Sequence, residues 1–151
     1  MKKLLTIIAT LSLLAMVGTG TARAQVIDAV VADIPFEFTV VNMTLPAGRY
    51  TVKPFGEMPG NVMTIASEEG KILRVFTIED AQANKPPRDA ELIFHRVGDH
   101  YFLYEIFEQA NSQGVMLPKP RAERRLEKEA AVTGESSYVT VTASKTAASQ
   151  R

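Results

Sequence analysis

This chain has no cysteine and only two histidines, and its 17 basic residues balance 17 acidic ones. Without cysteine there is no disulfide to staple the fold, no thiolate nucleophile and no cysteine-ligated zinc. The lipid anchor that attaches to a cysteine at a signal-peptide junction is excluded too. Two histidines leave little raw material for Ser/His chemistry. No G-x-S-x-G elbow, H-E-x-x-H pair, P-loop or G-x-G-x-x-G stretch occurs. Long apolar runs are also missing, with one exception at the start.

That exception is Leu4 to Val17, preceded by Lys2 and Lys3 and followed by Ala22-Arg23-Ala24. A basic lead, an apolar stretch and an A-x-A end make the layout of a secretory signal peptide, with cleavage predicted between Ala24 and Gln25. The run falls short of the ~18 to 20 residues that span a bilayer, and no later segment replaces it. The expectation is export to the periplasm or beyond, and the short lysine-led leader points to a bacterial source. Removing the first 24 of 151 residues leaves 127, one domain's worth. Lys2, Lys3 and Arg23 leave with the leader, so 14 basic residues face 17 acidic ones, a net charge of −3. A mildly acidic protein carries no electrostatic footprint for nucleic acid over its whole surface.

In the mature chain, short β-branched and aromatic runs alternate with Gly, Pro and Asn, the signature of strands and turns. Strands are predicted over Val30–Val41 (with Pro35 at an edge or bulge), Arg49–Lys53, Val62–Ser67, Ile72–Ile78, Leu92–Arg96 and Tyr101–Phe107. Asp80–Asp89 and Gln109–Gly114 read as polar connections. In Leu45-Pro46-Ala47-Gly48, Pro46 pre-sets the turn and Gly48 is assigned a left-handed position. Tyr101–Phe107, apolar on nearly every residue, reads as a central strand covered on both faces. At five to seven residues these strands are too short for the ~9 to 11 of a membrane barrel strand.

Past Pro120 the composition turns helical. Arg121–Ala131 is predicted as one short helix, with Ala122, Leu126 and Ala130 as its apolar stripe and Arg125 able to pair with Glu129. The tail 132–151 is rich in Ser, Thr and Ala, with Tyr138–Val141 as a potential added strand and disorder expected from Ala143 onward. The expectation is a single all-β domain at 25–131, a β-sandwich or partly open barrel of about seven short strands with one C-terminal helix. Its inward set is Phe36, Phe38, Val40, Tyr50, Val52, Ile65, Phe76, Phe94, Leu103 and Ile106.

Few side chains suggest chemistry. His95 and His100 flank the Gly98-Asp99 turn, and a two-residue hairpin sets His95 opposite Phe102 and Val97 opposite His100. Both imidazoles would then share a face at ~7 to 8 Å, close enough to consider a metal with Asp99 as third ligand. Catalytic zinc normally needs three protein ligands, so a hairpin pair packing near Tyr104 is the favoured reading, and no metal or other cofactor is predicted. Glu37, Glu91, Glu105 and Glu108 lie on or beside strands, where outward carboxylates are ordinary for a half-solvated sheet. The remaining feature is a basic cluster, Lys119, Arg121, Arg124, Arg125 and Lys128, a candidate interaction patch for an acidic envelope polymer or a lipid head-group. Glu123, Glu127 and Glu129 are interleaved with it, and mixed charge on a short helix is ordinarily a solvated face.

Four stretches carry a resemblance: VADIPFEFTV (Val31–Val40), LPAGRYTV (Leu45–Val52), LIFHRVGDHYFL (Leu92–Leu103) and LPKPRAERRL (Leu117–Leu126). Together they resemble a set of small exported proteins of acidobacteria and related soil bacteria. That resemblance covers most of the mature chain and lends no activity to it. LPAGRYTV is also similar to a turn-and-strand element of prealbumin-like and carboxypeptidase-regulatory-like β-sandwiches, where a Pro-x-Gly turn leads to an inward tyrosine. It implies an inward Tyr50 and a fold class, with no ligand attached.

The functional expectation is an exported, non-catalytic module that binds an envelope component or polymer or lends structure. The alternative is a small-ligand or metal-binding protein with its site near the His95/His100 hairpin. The two differ in whether those side chains converge on a pocket.

Overall fold

A computed structural model describes residues 28–56, 60–131 and 134–145. The predicted leader and its predicted Ala24–Gln25 junction lie outside the described residues. The fold is all-β: among the described residues, eleven strands form one nearly closed, barrel-like sheet, with one short helix on its outside.

Strands β1 (Val30–Ile34), β4 (Gly48–Pro54), β5 (Val62–Ser67) and β6 (Ile72–Thr77) form one antiparallel wall in that order. Beyond β1 the sheet continues through β11 (Ser136–Lys145), β8 (Ala90–Val97) and β9 (His100–Phe107). At β9 the sheet forks. Thr39 of β2 (Phe38–Val40) meets Phe102 in parallel, and β3 (Met43–Leu45) hairpins back on β2. The C-terminal half of β9 instead pairs with β10 (Gln113–Met116), which carries β7 (Glu79–Gln82) on its far edge. The helix α1 (Arg121–Ala130) packs against β8.

Eleven strands replace the expected seven for identifiable reasons. Pro35 breaks the predicted Val30–Val41 run into β1 and β2, because its ring cannot donate to a ladder. The two predicted polar connections hold β7 and β10, which pair mainly with each other and bury little more than Ala81, Gly114 and Val115. The tail is also more than an addition. β11 sits between β8 and β1, and Ala143, where disorder was expected to begin, pairs with both Ala90 and Ala32 and is buried.

The interior is apolar. Every predicted inward residue is buried except Phe36, which is half-buried and packs on the same cluster. Phe94 anchors an aromatic group, meeting Phe36 at 5.2 Å and Phe38 at 5.4 Å in T-shaped contacts. Tyr50 points inward as the LPAGRYTV resemblance implied, and its hydroxyl donates to the Pro46 carbonyl at 2.7 Å, closing the turn before β4. Gly48 departs from expectation: it opens β4 with ordinary backbone, its Cα facing the Tyr50 ring, where a Cβ would sit 3.5 Å from the tyrosine Cε2.

A bulge decides what the outer face of this wall carries. Ile93 pairs with Glu105 but Phe94 with Leu103, so Tyr104 is the extra residue. The shift lets Ile106 and Leu103, three apart, both reach the core, while Phe102 and Phe107 are buried outside the core cluster. That is why β9 is apolar at almost every position.

Candidate functional site

The hairpin register is the predicted one, with Val97 opposite His100 and His95 opposite Phe102. Its two histidines nevertheless part company. His100 is exposed, its ring 6.5 Å from that of Phe102. His95 is 1% exposed, roofed by α1. Asp99 is fully exposed and has only a 3.8 Å contact with Arg96. His95, His100 and Asp99 therefore form no ligand set.

The site that does form is centred on His95 and reaches across three elements. Its Nδ1 lies 2.6 Å from Glu123 Oε1 on α1, and its Nε2 lies 2.7 Å from the Ser136 hydroxyl at the start of β11. Tyr138, directly opposite His95 in the ladder, stacks over the imidazole at 4.9 Å between centroids. Tyr104, made spare by the bulge, is 5.5 Å from Tyr138. Over Tyr104 sits the Lys119 ammonium, 5.8 Å from the ring centre and hydrogen-bonded to Glu127. Glu127 also comes within 3.6 Å of His95 Nδ1.

The helix explains this convergence. At 3.6 residues per turn, Glu123, Leu126, Glu127 and Ala130 share one face. That face is turned to the sheet, with Glu123 buried and the other three half-buried. The stripe expected from Ala122, Leu126 and Ala130 is rotated by about 50° from the true one, and Ala122 is exposed. A buried carboxylate is tolerated only with a partner: His95 is that partner for Glu123, while Lys119 pairs with the half-buried Glu127 beside it.

Three titrations in this cluster are displaced, and burial, with Glu105 adding to it, raises the Tyr104 hydroxyl. Burial pushes the Glu123 carboxyl above its ordinary value, opposed by the hydrogen bond and charge of His95 and by Lys119. Burial pulls the Lys119 ammonium down, but the hydrogen bond and charge of Glu127, with Glu123 behind it, outweigh this and leave it raised.

Among the described residues, His95, Glu123 and Glu127 are the one group of such side chains near enough to hold a cation, their ligand atoms within 4.8 Å of one another. Lys119 already places a positive charge on Glu127, and Glu123 is in hydrogen-bonding contact with the imidazole. Each glutamate already has a partner within the cluster, Lys119 for Glu127 and His95 for Glu123, which fits a structural clamp better than a metal centre.

The predicted basic patch is re-sorted. Lys119 faces inward to Glu127 and leaves the patch. Arg121, Arg124, Arg125 and Lys128 are exposed and fall within an arc of about 100° on the helix, opposite the buried face. Among the described residues none of the four makes an ion pair, and the expected Arg125–Glu129 pair does not form. The interleaved acids no longer cancel the patch, because Glu123 and Glu127 point into the protein and only Glu129 remains exposed.

The other predicted carboxylates stay apart from this site. Glu37 is exposed, and Glu108 accepts the Asp28 backbone N–H. Glu91 and Glu105 are half-buried in the outer wall, and burial raises the Glu105 carboxyl. Sequence reasoning found His95 and Tyr104 but missed Glu123, Glu127, Ser136 and Tyr138. The i, i+4 spacing of the two glutamates was the available signal.

No helix among the described residues is long and apolar enough to cross a membrane. No family model, curated protein or solved structure matches this chain.

Proposed function

We propose that this chain is an exported bacterial module, working in the periplasm or outside the cell, that binds an anionic envelope polymer through the outward face of α1. The observation that carries this reading is the charge sorting on the helix. Its two inward glutamates are held by His95 and Lys119, and its four exposed cations have no ionic partner among the described residues. A protein of net charge −3 that gathers cations on one helix face has a local potential its total charge hides. A polymer bearing carboxylate, sulfate or phosphate groups matches that face, guanidinium forks being suited to bidentate contact with such groups.

The test is retention of residues 25–151 on immobilised heparin, used as a model polyanion. Binding should weaken as salt is raised, since exposed charges are screened within about 10 Å at 0.1 M. Arg124→Ser with Arg125→Ser should weaken it at least tenfold while thermal unfolding stays unchanged. Absence of retention at low salt, or retention indifferent to the double variant, would contradict the reading. So would binding to anionic lipid vesicles in place of polysaccharide. Export is tested separately by N-terminal sequencing of the processed protein, which should begin at Gln25.

A further inference from the structure

We propose that Ser136 is an activated nucleophile that accepts an acyl group from small activated esters, with His95 as its base and Glu123 as the residue that positions that base. The proposal goes beyond polymer binding and does not depend on it.

Three contacts in series carry the argument. The Ser136 hydroxyl is 2.7 Å from His95 Nε2, and His95 Nδ1 is 2.6 Å from Glu123 Oε1. Nucleophile, base and carboxylate in that order are the arrangement that makes a serine hydroxyl reactive. The tautomer follows from the neighbours. Nδ1 faces Glu123 and Glu127, and in the reactive form both carboxylates are ionised and only accept hydrogen bonds, which puts the proton on Nδ1. The Nε2 lone pair is thereby aimed at the Ser136 O–H. The ring is held in that attitude by burial and by the stacked Tyr138.

The hydroxyl is also reachable. Ser136 is exposed and lines a cavity of about 300 Å³ with Arg96, Asp99, Glu135 and Ser137. This space suits a small polar acyl donor. In the step, the Ser136 O–H proton passes to His95 Nε2 while Oγ bonds to the ester carbonyl carbon. The bond from that carbon to the leaving oxygen then breaks, and the leaving oxygen takes the proton from Nε2. The products are acyl-Ser136 and the free alcohol or phenol, and the imidazole returns to its starting state.

Ser137, adjacent in the chain and lining the same cavity, has no histidine contact among the described residues and serves as an internal control. Residues 25–151 are treated with 4-nitrophenyl acetate, and the acetylated positions are mapped and timed by peptide mass spectrometry. Ser136 should acetylate about 100-fold faster than Ser137, the scale of general-base assistance. Ser136→Ala should abolish the stoichiometric release of nitrophenol yet keep heparin retention. Glu123→Gln, which can still hydrogen-bond but carries no charge, should slow acetylation of Ser136 without affecting Ser137. Equal rates at the two serines would overturn the proposal, and this comparison needs no variant to fold. A Ser136 rate unaffected by Glu123→Gln in a folded variant would overturn the roles given to His95 and Glu123.

Discussion

The two faces of the β8–β11 wall are opposites in chemistry. Inside, Phe94, Leu92 and Ile106 belong to one cluster of buried apolar side chains, and the face is held by area and shape. Outside, one residue along from Phe94, His95 is equally buried but is held by Glu123 and Ser136. A core that follows hydrophobicity can be shuffled among similar volumes, whereas a buried ionic cluster depends on every partner being present. The inner face therefore secures the fold, and the outer face fixes where α1 sits and which way its charges point.

The largest effect should come from the inner face. Phe94→Ala removes the ring that both Phe36 and Phe38 meet in T-shaped contacts and should cost about 3–5 kcal/mol in urea unfolding. Gly114→Ala probes the seam between the two regimes. A Cβ there would lie 2.4 Å from the Phe107 ring and 2.6 Å from the Ile106 carbonyl, so β10 must shift, at about 1–3 kcal/mol.

The outer face should respond in the reverse sense. Replacing His95 and Glu123 together by leucine removes both ionisable groups and should be neutral or stabilising by up to about 4 kcal/mol. A loss as large as that of Phe94→Ala would erase the distinction between the faces.

The smallest effect is a pH slope. Burial raises the folded Glu123 carboxyl above its unfolded value, so the folded state binds that proton more tightly. Its contribution to stability is full below the ordinary carboxylate range and declines as pH rises through the raised value. Glu123→Gln should flatten the fall of the urea midpoint across that window.

The inner face was readable from residues because alternation reports burial directly: Phe36, Phe38 and Val40, then Tyr50 and Val52, mark it. The outer face was not, because a buried glutamate looks like a surface glutamate until its partners are known. Glu123 and Glu127 break the apolar period of α1 at the positions that face the sheet, which turned the expected stripe toward Ala122. Ser136 and Tyr138 were hidden differently. They lie in a Ser/Thr-rich segment whose place between β8 and β1 depends on pairing over more than a hundred residues of chain, as Lys145 with Val30 shows. β7 and β10 escaped because four-residue strands with little to bury carry no alternation.

The central claim is that the His95 imidazole, in contact with Glu123 and Ser136, clamps α1 to the sheet. Proton–nitrogen NMR of the imidazole tests this most directly. The account predicts a slowly exchanging proton on Nδ1, shifted well downfield by Glu123 and moved upfield in Glu123→Gln, with the Nε2 lone pair facing Ser136. A ring protonated at Nε2 instead, or an imidazole signal indifferent to Glu123→Gln, would contradict it.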